Sequence, residues 1–250
     1  MTQPGRALIG TSGWSYDDWD GVFYPRGVSG TERLTHYATR FKTVEIDSTF
    51  YAIPARSTVQ GWYGRTPDDF IFSAKFPRSV THEARLVHAG EDAMRFVETM
   101  SELGEKLGVL VLQLPPSFSI EEFDALANFF EGLPDGYAYA VEVRHRSWLV
   151  DAFADLLKRW RVSVVLTDGE YLERFWRVTS QICYIRWLGH WNAFEHFDRV
   201  QADRSDELAW WVPRIQHFVE RGGTVLGYVN NHFSGHSPAT ADQLTEMLAP

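Results

Sequence analysis

Gly108-Val109-Leu110-Val111-Leu112-Gln113-Leu114, closed by Pro115-Pro116, is the stretch on which the fold turns. Leu110, Leu112 and Leu114 occupy one face of an extended chain, and Val109 and Val111 the other, with Gln113 at the end. A strand that is apolar on both faces is covered on both, which is the habit of parallel sheets. The flanking sequence agrees. Upstream, Glu91–Lys106 puts Ala93, Phe96, Val97, Met100, Leu103 and Leu107 on one helical face. Downstream, Phe123, Leu126, Ala127 and Phe130 repeat that period, and a second apolar strand follows at Tyr137–Val143.

The same alternation extends in both directions. Strands are expected at Ala7–Ser12, Thr43–Asp47, Phe70–Phe76, Gly108–Leu114, Tyr137–Val143, Val162–Thr167, Gln181–Trp187 and Thr224–Asn230. Further helix patterns include Phe153, Leu156, Leu157 and Trp160, and Glu207–Arg221 with a kink expected at Pro213. A last helix should start at Ser237-Pro238, with Ser237 as its cap and Pro238 at the first helical position. Eight strands alternating with helices in one domain over residues 1–250 predict an α/β fold, a TIM-type (β/α)8 barrel of parallel strands. The helix between strands six and seven should be short or missing. The competitor is a doubly wound open sheet, but no G-x-G-x-x-G or G-x-x-x-x-G-K-[ST] follows any strand.

Composition narrows the class. Lys+Arg 24 against Asp+Glu 33 leaves a net charge of −9, which argues against a dedicated nucleic-acid binder. Cys183 is the single cysteine, so no internal disulfide and no Cys-rich metal site can form. No apolar run approaches the length of a membrane span, and the N-terminal sequence does not read as a signal peptide, so the expected location is the cytoplasm. Ten tryptophans are unusual for such a chain. Trp62, Trp160, Trp210 and Trp211 fall in helix patterns. Trp14, Trp19, Trp148, Trp176, Trp187 and Trp191 fall at or after strand ends, where they are expected to rim a charged mouth.

Period 2 along the strands separates apolar faces from mixed ones. The polar members gather at the strand C-termini: Glu45, Asp47, Lys75, Gln113, Glu142, Arg144, Asp168, Arg186 and Asn230. Barrel enzymes place their chemistry there. These charges either pair among themselves or form a ligand site, and their number favours the ligand site.

Ile9-Gly10-Thr11-Ser12-Gly13-Trp14, Phe23-Tyr24-Pro25 and Val44-Glu45-Ile46-Asp47-Ser48-Thr49-Phe50-Tyr51 resemble motifs of the YecE-like family, a domain of unknown function. So do Leu112-Gln113-Leu114-Pro115-Pro116, Val141-Glu142-Val143-Arg144-His145 with Ser147-Trp148, and Tyr228-Val229-Asn230-Asn231-His232. The resemblance spans nearly the whole chain and implies a TIM-barrel-type fold with no established reaction. Two departures stand out. Asp47 occupies a position where the family often has Asn, and Arg186-Trp187-Leu188-Gly189-His190 stands where many members resemble R-L-H-G, which shifts the His.

The chemistry follows from the strand-end residues. A retaining glycosidase of the large barrel group needs carboxylates after strands four and seven, where this chain has Gln113 and Arg186. Lys75, Arg144 and Arg186 would repel a metal cation, and His232 with His236 sits in a loop pattern, so no metal and no cofactor is expected. His145 or His190 beside Glu45 or Asp168 keeps a metal open as an alternative. An anionic ligand suits the guanidinium forks of Arg144 and Arg186. The loop Asn231–Gly235, leading into the last helix, is placed to hold a phosphate. The expected catalytic groups are Lys75, as proton carrier or Schiff-base former, and Glu142, with Asp168 second, as general acid or base. Substrate contacts are expected from Trp14, Glu45, Asp47, Tyr51, Gln113, Arg144, His145, Trp148, Arg186, Tyr228, Asn230 and Asn231.

Three readings remain open. The first is a cofactor-independent lyase, isomerase or hydrolase acting on a small anionic or sugar-like molecule. The second is a metal-dependent nucleic-acid processing enzyme analogous to barrel endonucleases. The third is a non-catalytic barrel that binds a small ligand.

Overall fold

The computed structural model describes residues 5–249. All eight expected strands are present: β1 (Arg6–Ser12), β2 (Thr43–Ile46), β3 (Ile71–Lys75), β4 (Leu107–Gln113), β5 (Ala138–Glu142), β6 (Ser163–Gly169), β7 (Ile182–Gly189) and β8 (Thr224–Val229). They follow one another in chain order and the sheet closes on itself, with parallel pairing throughout the described registers. The helices are α1 (Gly30–Arg40), α2 (Arg56–Gly64), α3 (Gly90–Met100), α4 (Phe123–Glu131), α5 (Asp151–Arg159), α6 (Ser205–Glu220), the single turn α7 (Asn231–Ser234) and α8 (Ser237–Leu248). No helix lies between β6 and β7, as the sequence pattern anticipates. No described helix is long and apolar enough to cross a membrane.

The chain divides into two units of dense internal contact. One runs up to Glu45 and adds Leu166–Trp176 and Gln181 onward. Here β1 pairs with β2 and β8, and β7 pairs with β8. Tyr37 of α1 ties β1 to β2: its hydroxyl receives the Thr11 amide at 2.9 Å and donates to the Thr43 carbonyl at 3.1 Å. That closeness requires Gly10, because a Cβ there would lie 2.1 Å from the Thr43 oxygen.

The other unit is Ile46–Val165 with Arg177–Ser180. Here β4 pairs with β3 on one side and β5 on the other, and β5 continues to β6. Every residue from Val109 to Val111 is fully buried, so the two-faced apolar reading of this strand holds. Phe76 closes the outer layer against Phe96 of α3 at 4.7 Å and Phe129 of α4 at 6.2 Å. Lys106 is buried, but its ammonium donates to the Tyr63 and Thr66 carbonyls at 2.7 and 2.8 Å, so the charge is solvated by the backbone.

Helix α6 runs from Ser205 to Glu220 with Pro213 inside it. Two local expectations need correction. The single helix expected over Glu91–Lys106 stops at Met100, and a 3-10 segment, Ser101–Lys106, follows. Gly104 sits at φ 50°, ψ −128°, which no helix accommodates. The cap of α8 is His236, not Ser237; Ser237 is the first helical residue and Pro238 the second.

Candidate functional site

In the unit Ile46–Val165, charged residues meet at the ends of β3 and β5. The Lys75 ammonium lies 2.5 Å from Asp47, with side-chain exposures of 10% and 25%. Glu142 is fully buried and accepts the Arg144 Nε at 2.7 Å. The Arg144 side chain is 17% exposed. Gln113 is buried beside Glu142 in register. Beneath Lys75 lies the Phe50 ring, 5.4 Å from the ammonium. Thr49, in the one-turn helix that follows β2, anchors this corner by donating to the Lys75 carbonyl at 2.8 Å. The pattern is two cations, each steadied by a carboxylate.

His82 belongs to the same corner and was missed by sequence reasoning. It is half-buried on a turn after β3, and its ring meets Phe50 edge-on at 5.0 Å. Burial holds its imidazole below the usual histidine range. The positive charges of Arg144, Arg78 and Lys75 add to this, and Glu142 opposes it. The one sequence signal that could have found it is its place seven residues after Lys75, in the segment following a strand end.

Three other expected contacts of this unit behave differently. Trp148 is fully buried, stacked with Phe118 and Phe123, and donates its indole N–H to the Phe118 carbonyl at 2.8 Å. It is a core residue rather than a mouth residue. His145 turns its Nδ1 onto Ser147, accepting the Ser147 amide at 3.3 Å, and so caps a 3-10 turn. Tyr51 is 72% exposed and lines a cleft of about 660 Å³ with Pro54, Arg56, Arg78 and Arg95. Each of those arginines already faces a carboxylate: Arg56 faces Glu102, Arg78 faces Glu83 and Arg95 faces Asp92.

In the unit that contains β1, β7 and β8, Glu45 is fully buried and accepts four hydrogen bonds. Ser12 donates at 3.0 Å, Arg186 through Nε at 3.1 Å and Nη2 at 2.8 Å, and Tyr184 at 2.7 Å. The mixed faces of the second and seventh strands therefore meet, as period 2 predicts. Burial and the adjacent Glu45 push the Tyr184 phenol well above its ordinary range. Tyr228 is also fully buried, with its hydroxyl 2.7 Å from the Thr43 hydroxyl. Trp14 is half-buried, and its carbonyl accepts the Tyr24 hydroxyl.

Asp168 ends β6 as expected but faces α6. Its carboxylate accepts the Trp211 indole N–H at 2.9 Å and lies 3.8 Å from Arg174. Desolvation raises its pKa against those two partners. Trp187 is likewise buried against Trp211, at 5.8 Å, so it does not rim a mouth. Trp19 packs fully buried among Tyr16, Phe23 and Tyr24. Trp191 is 70% exposed and rests on His232.

In the loop Asn231–Gly235, where a phosphate is expected, side-chain oxygens are engaged within the chain. Asn230 caps α7 by accepting the His232 amide at 3.0 Å. Asn231 is buried and accepts both the amide and the hydroxyl of Ser237, at 3.0 and 2.8 Å. Pro238 has no N–H, so the first turn of α8 has little left to offer an anion. Among the described residues, no group of three or more His, Cys, Asp or Glu is arranged to hold a metal ion.

The chain matches the family described as Protein of unknown function DUF72 over residues 8–250. It belongs to the DUF72 family. The UPF0759 protein YunF of Bacillus subtilis is 31% identical over an alignment covering 96% of this DUF72 chain and 94% of YunF. The UPF0759 protein YecE of Escherichia coli K12 is 38% identical over 137 residues, 55% of the chain and 48% of YecE, so that alignment spans about half of the relative. The crystal structure of a DUF72 protein of Thermotoga maritima, TM1631, superposes with a TM-score of 0.80 at 28% identity, covering 97% of this DUF72 chain and 98% of that one. EF0366 of Enterococcus faecalis gives 0.78 at 21% identity over 99% of both chains, a likeness of fold.

Proposed function

We propose that this protein is a cofactor-independent enzyme acting on a small anionic or sugar-like molecule, bound at the ends of β3 and β5. The observation that carries the reading is the pair of steadied cations, Lys75 on Asp47 and Arg144 on Glu142, whose side chains keep 10% and 17% of their surface exposed. A cation held by one carboxylate is pre-oriented, and an incoming carboxylate or phosphate then loses less in ordering its partner. Strand C-termini of this fold are also where barrel enzymes bind and react. Within this reading Lys75 and Arg144 bind the anion, and Glu142 orients Arg144.

Thermal-shift titration with inorganic phosphate, sugar phosphates and hydroxycarboxylates such as malate and citrate tests it. A ligand specific to the folded state raises the midpoint in proportion to its excess over Kd. At least one compound should stabilise the wild type, and Lys75→Ala and Arg144→Ala should each abolish that shift. No stabilisation by any compound, or full retention in both variants, refutes the site.

A further inference from the structure

The segment after β3 is not an irregular loop. Ser79–Glu83 forms one π-helical turn, a rare geometry that recurs at functional sites. The turn presents His82 toward Phe50, the ring that also lies beneath the Lys75 ammonium. Two potential proton carriers therefore share one aromatic neighbour.

The orientation of the imidazole is set by Thr81. Its hydroxyl is buried, donates to the Pro77 carbonyl at 3.4 Å and lies 2.9 Å from His82 Nδ1. A hydroxyl has one proton. With that proton turned to Pro77, Thr81 Oγ1 accepts from Nδ1–H, and the lone pair of the neutral ring is on Nε2. The charged groups acting on the ring come from three segments: Arg144 and Glu142 from β5 and its end, Lys75 from β3, and Arg78 from its own loop. The cations, together with burial, keep the imidazole neutral at pH 7, which is the form a general base requires.

We propose that His82 is the proton-transferring residue of this site, with Nε2 as the base. The inference rests on the anion-binding reading above. A substrate carrying a carboxylate or phosphate is held by Lys75 and Arg144. Nε2 takes a proton from a neighbouring hydroxyl or carbon acid: the N–H bond forms, the substrate O–H or C–H bond breaks, and the electron pair stays on the substrate. The two cations stabilise the charge that develops, and the imidazolium returns the proton at the end of the cycle.

Two measurements on the full chain test this. Long-range ¹H–¹⁵N spectra, with His82 assigned by its loss in His82→Gln, should show a neutral ring protonated on Nδ1 at pH 7. Thr81→Val should disturb that tautomer while the fold is kept. A ring protonated on Nε2 in the wild type overturns the proposal. The compound panel above, incubated with the protein in heavy water, is then read by mass spectrometry for conversion or deuterium uptake. The expected result is a loss of at least about 100-fold in His82→Gln, with the ligand-induced thermal shift preserved. A variant as active as the wild type, or a wild type that binds a compound without exchange or turnover, overturns the role of His82 and leaves the binding site standing. Absence of any thermal shift in the wild type removes the binding site and this inference together.

Discussion

Arg186 gives a single carboxylate oxygen of Glu45 two N–H donors, with both side chains buried. Ser12 and Tyr184 complete the shell around Glu45. Such a saturated pair reads as a strut, not a ligand site. Removing one partner leaves a buried charge uncompensated, which typically costs about 3–5 kcal/mol. Glu45→Gln and Arg186→Met should each lower unfolding stability in urea by that amount. The double change to Met at both positions should restore most of it, because no lone charge then remains. Two single variants within about 1 kcal/mol of wild type would be incompatible with the strut.

Asp47 both steadies Lys75 and competes with an incoming anion. Asp47→Asn removes the competitor. Partly exposed ion pairs are worth up to about 1 kcal/mol, so affinity for a stabilising anion should rise by roughly fivefold. Calorimetric titration reads the change directly. Weaker binding would show that the orientation Asp47 gives Lys75 outweighs its competition with the anion.

Asp168 has a raised pKa, chiefly from desolvation. A carboxyl raised in the folded state contributes stability that is fully present below its unfolded pKa and is lost as pH rises through the folded value. Asp168→Asn keeps an acceptor for the Trp211 N–H and removes the buried charge. Relative to wild type it should therefore be more stable at neutral pH than near pH 4, measured by urea unfolding at both. Asp168→Ala should cost about 1–3 kcal/mol, because the Trp211 N–H is then left without its acceptor. Turnover unchanged in Asp168→Asn would fit its position facing α6, and a large loss would return Asp168 to the chemistry.

Trp148 is held by Phe118, Phe123 and Phe153 and by its indole hydrogen bond. Trp148→Ala should cost about 3–5 kcal/mol through the cavity it leaves. The milder Trp148→Phe should keep anion affinity within twofold, measured by titration. A specific loss of affinity would mean that the indole reaches the ligand.

The eight strands are legible because each is a short apolar run between turn residues, and period 2 puts Glu45 and Arg186 on the mixed faces. For Asp168, Val164-Val165-Leu166 is apolar on both faces, so parity carries no information about which way the next carboxylate points. Trp148 and Trp187 were misplaced for a related reason. A tryptophan after a strand end reads alike whether it packs under a helix or rims a mouth. His82 escaped because a single π turn leaves no period in the sequence.

The residues by themselves determined a parallel eight-stranded α/β barrel, the missing helix after β6 and the gathering of charge at strand C-termini. These depend on local hydrophobic periodicity, which sequence order preserves. Tertiary structure decided the partners: Lys75 with Asp47, Glu142 with Arg144, Asp168 with Trp211, and His82 beside Phe50. All but Glu142 with Arg144 join residues distant in the chain, and which charge meets which depends on side-chain direction at ångström scale, which strand register and helix packing set together.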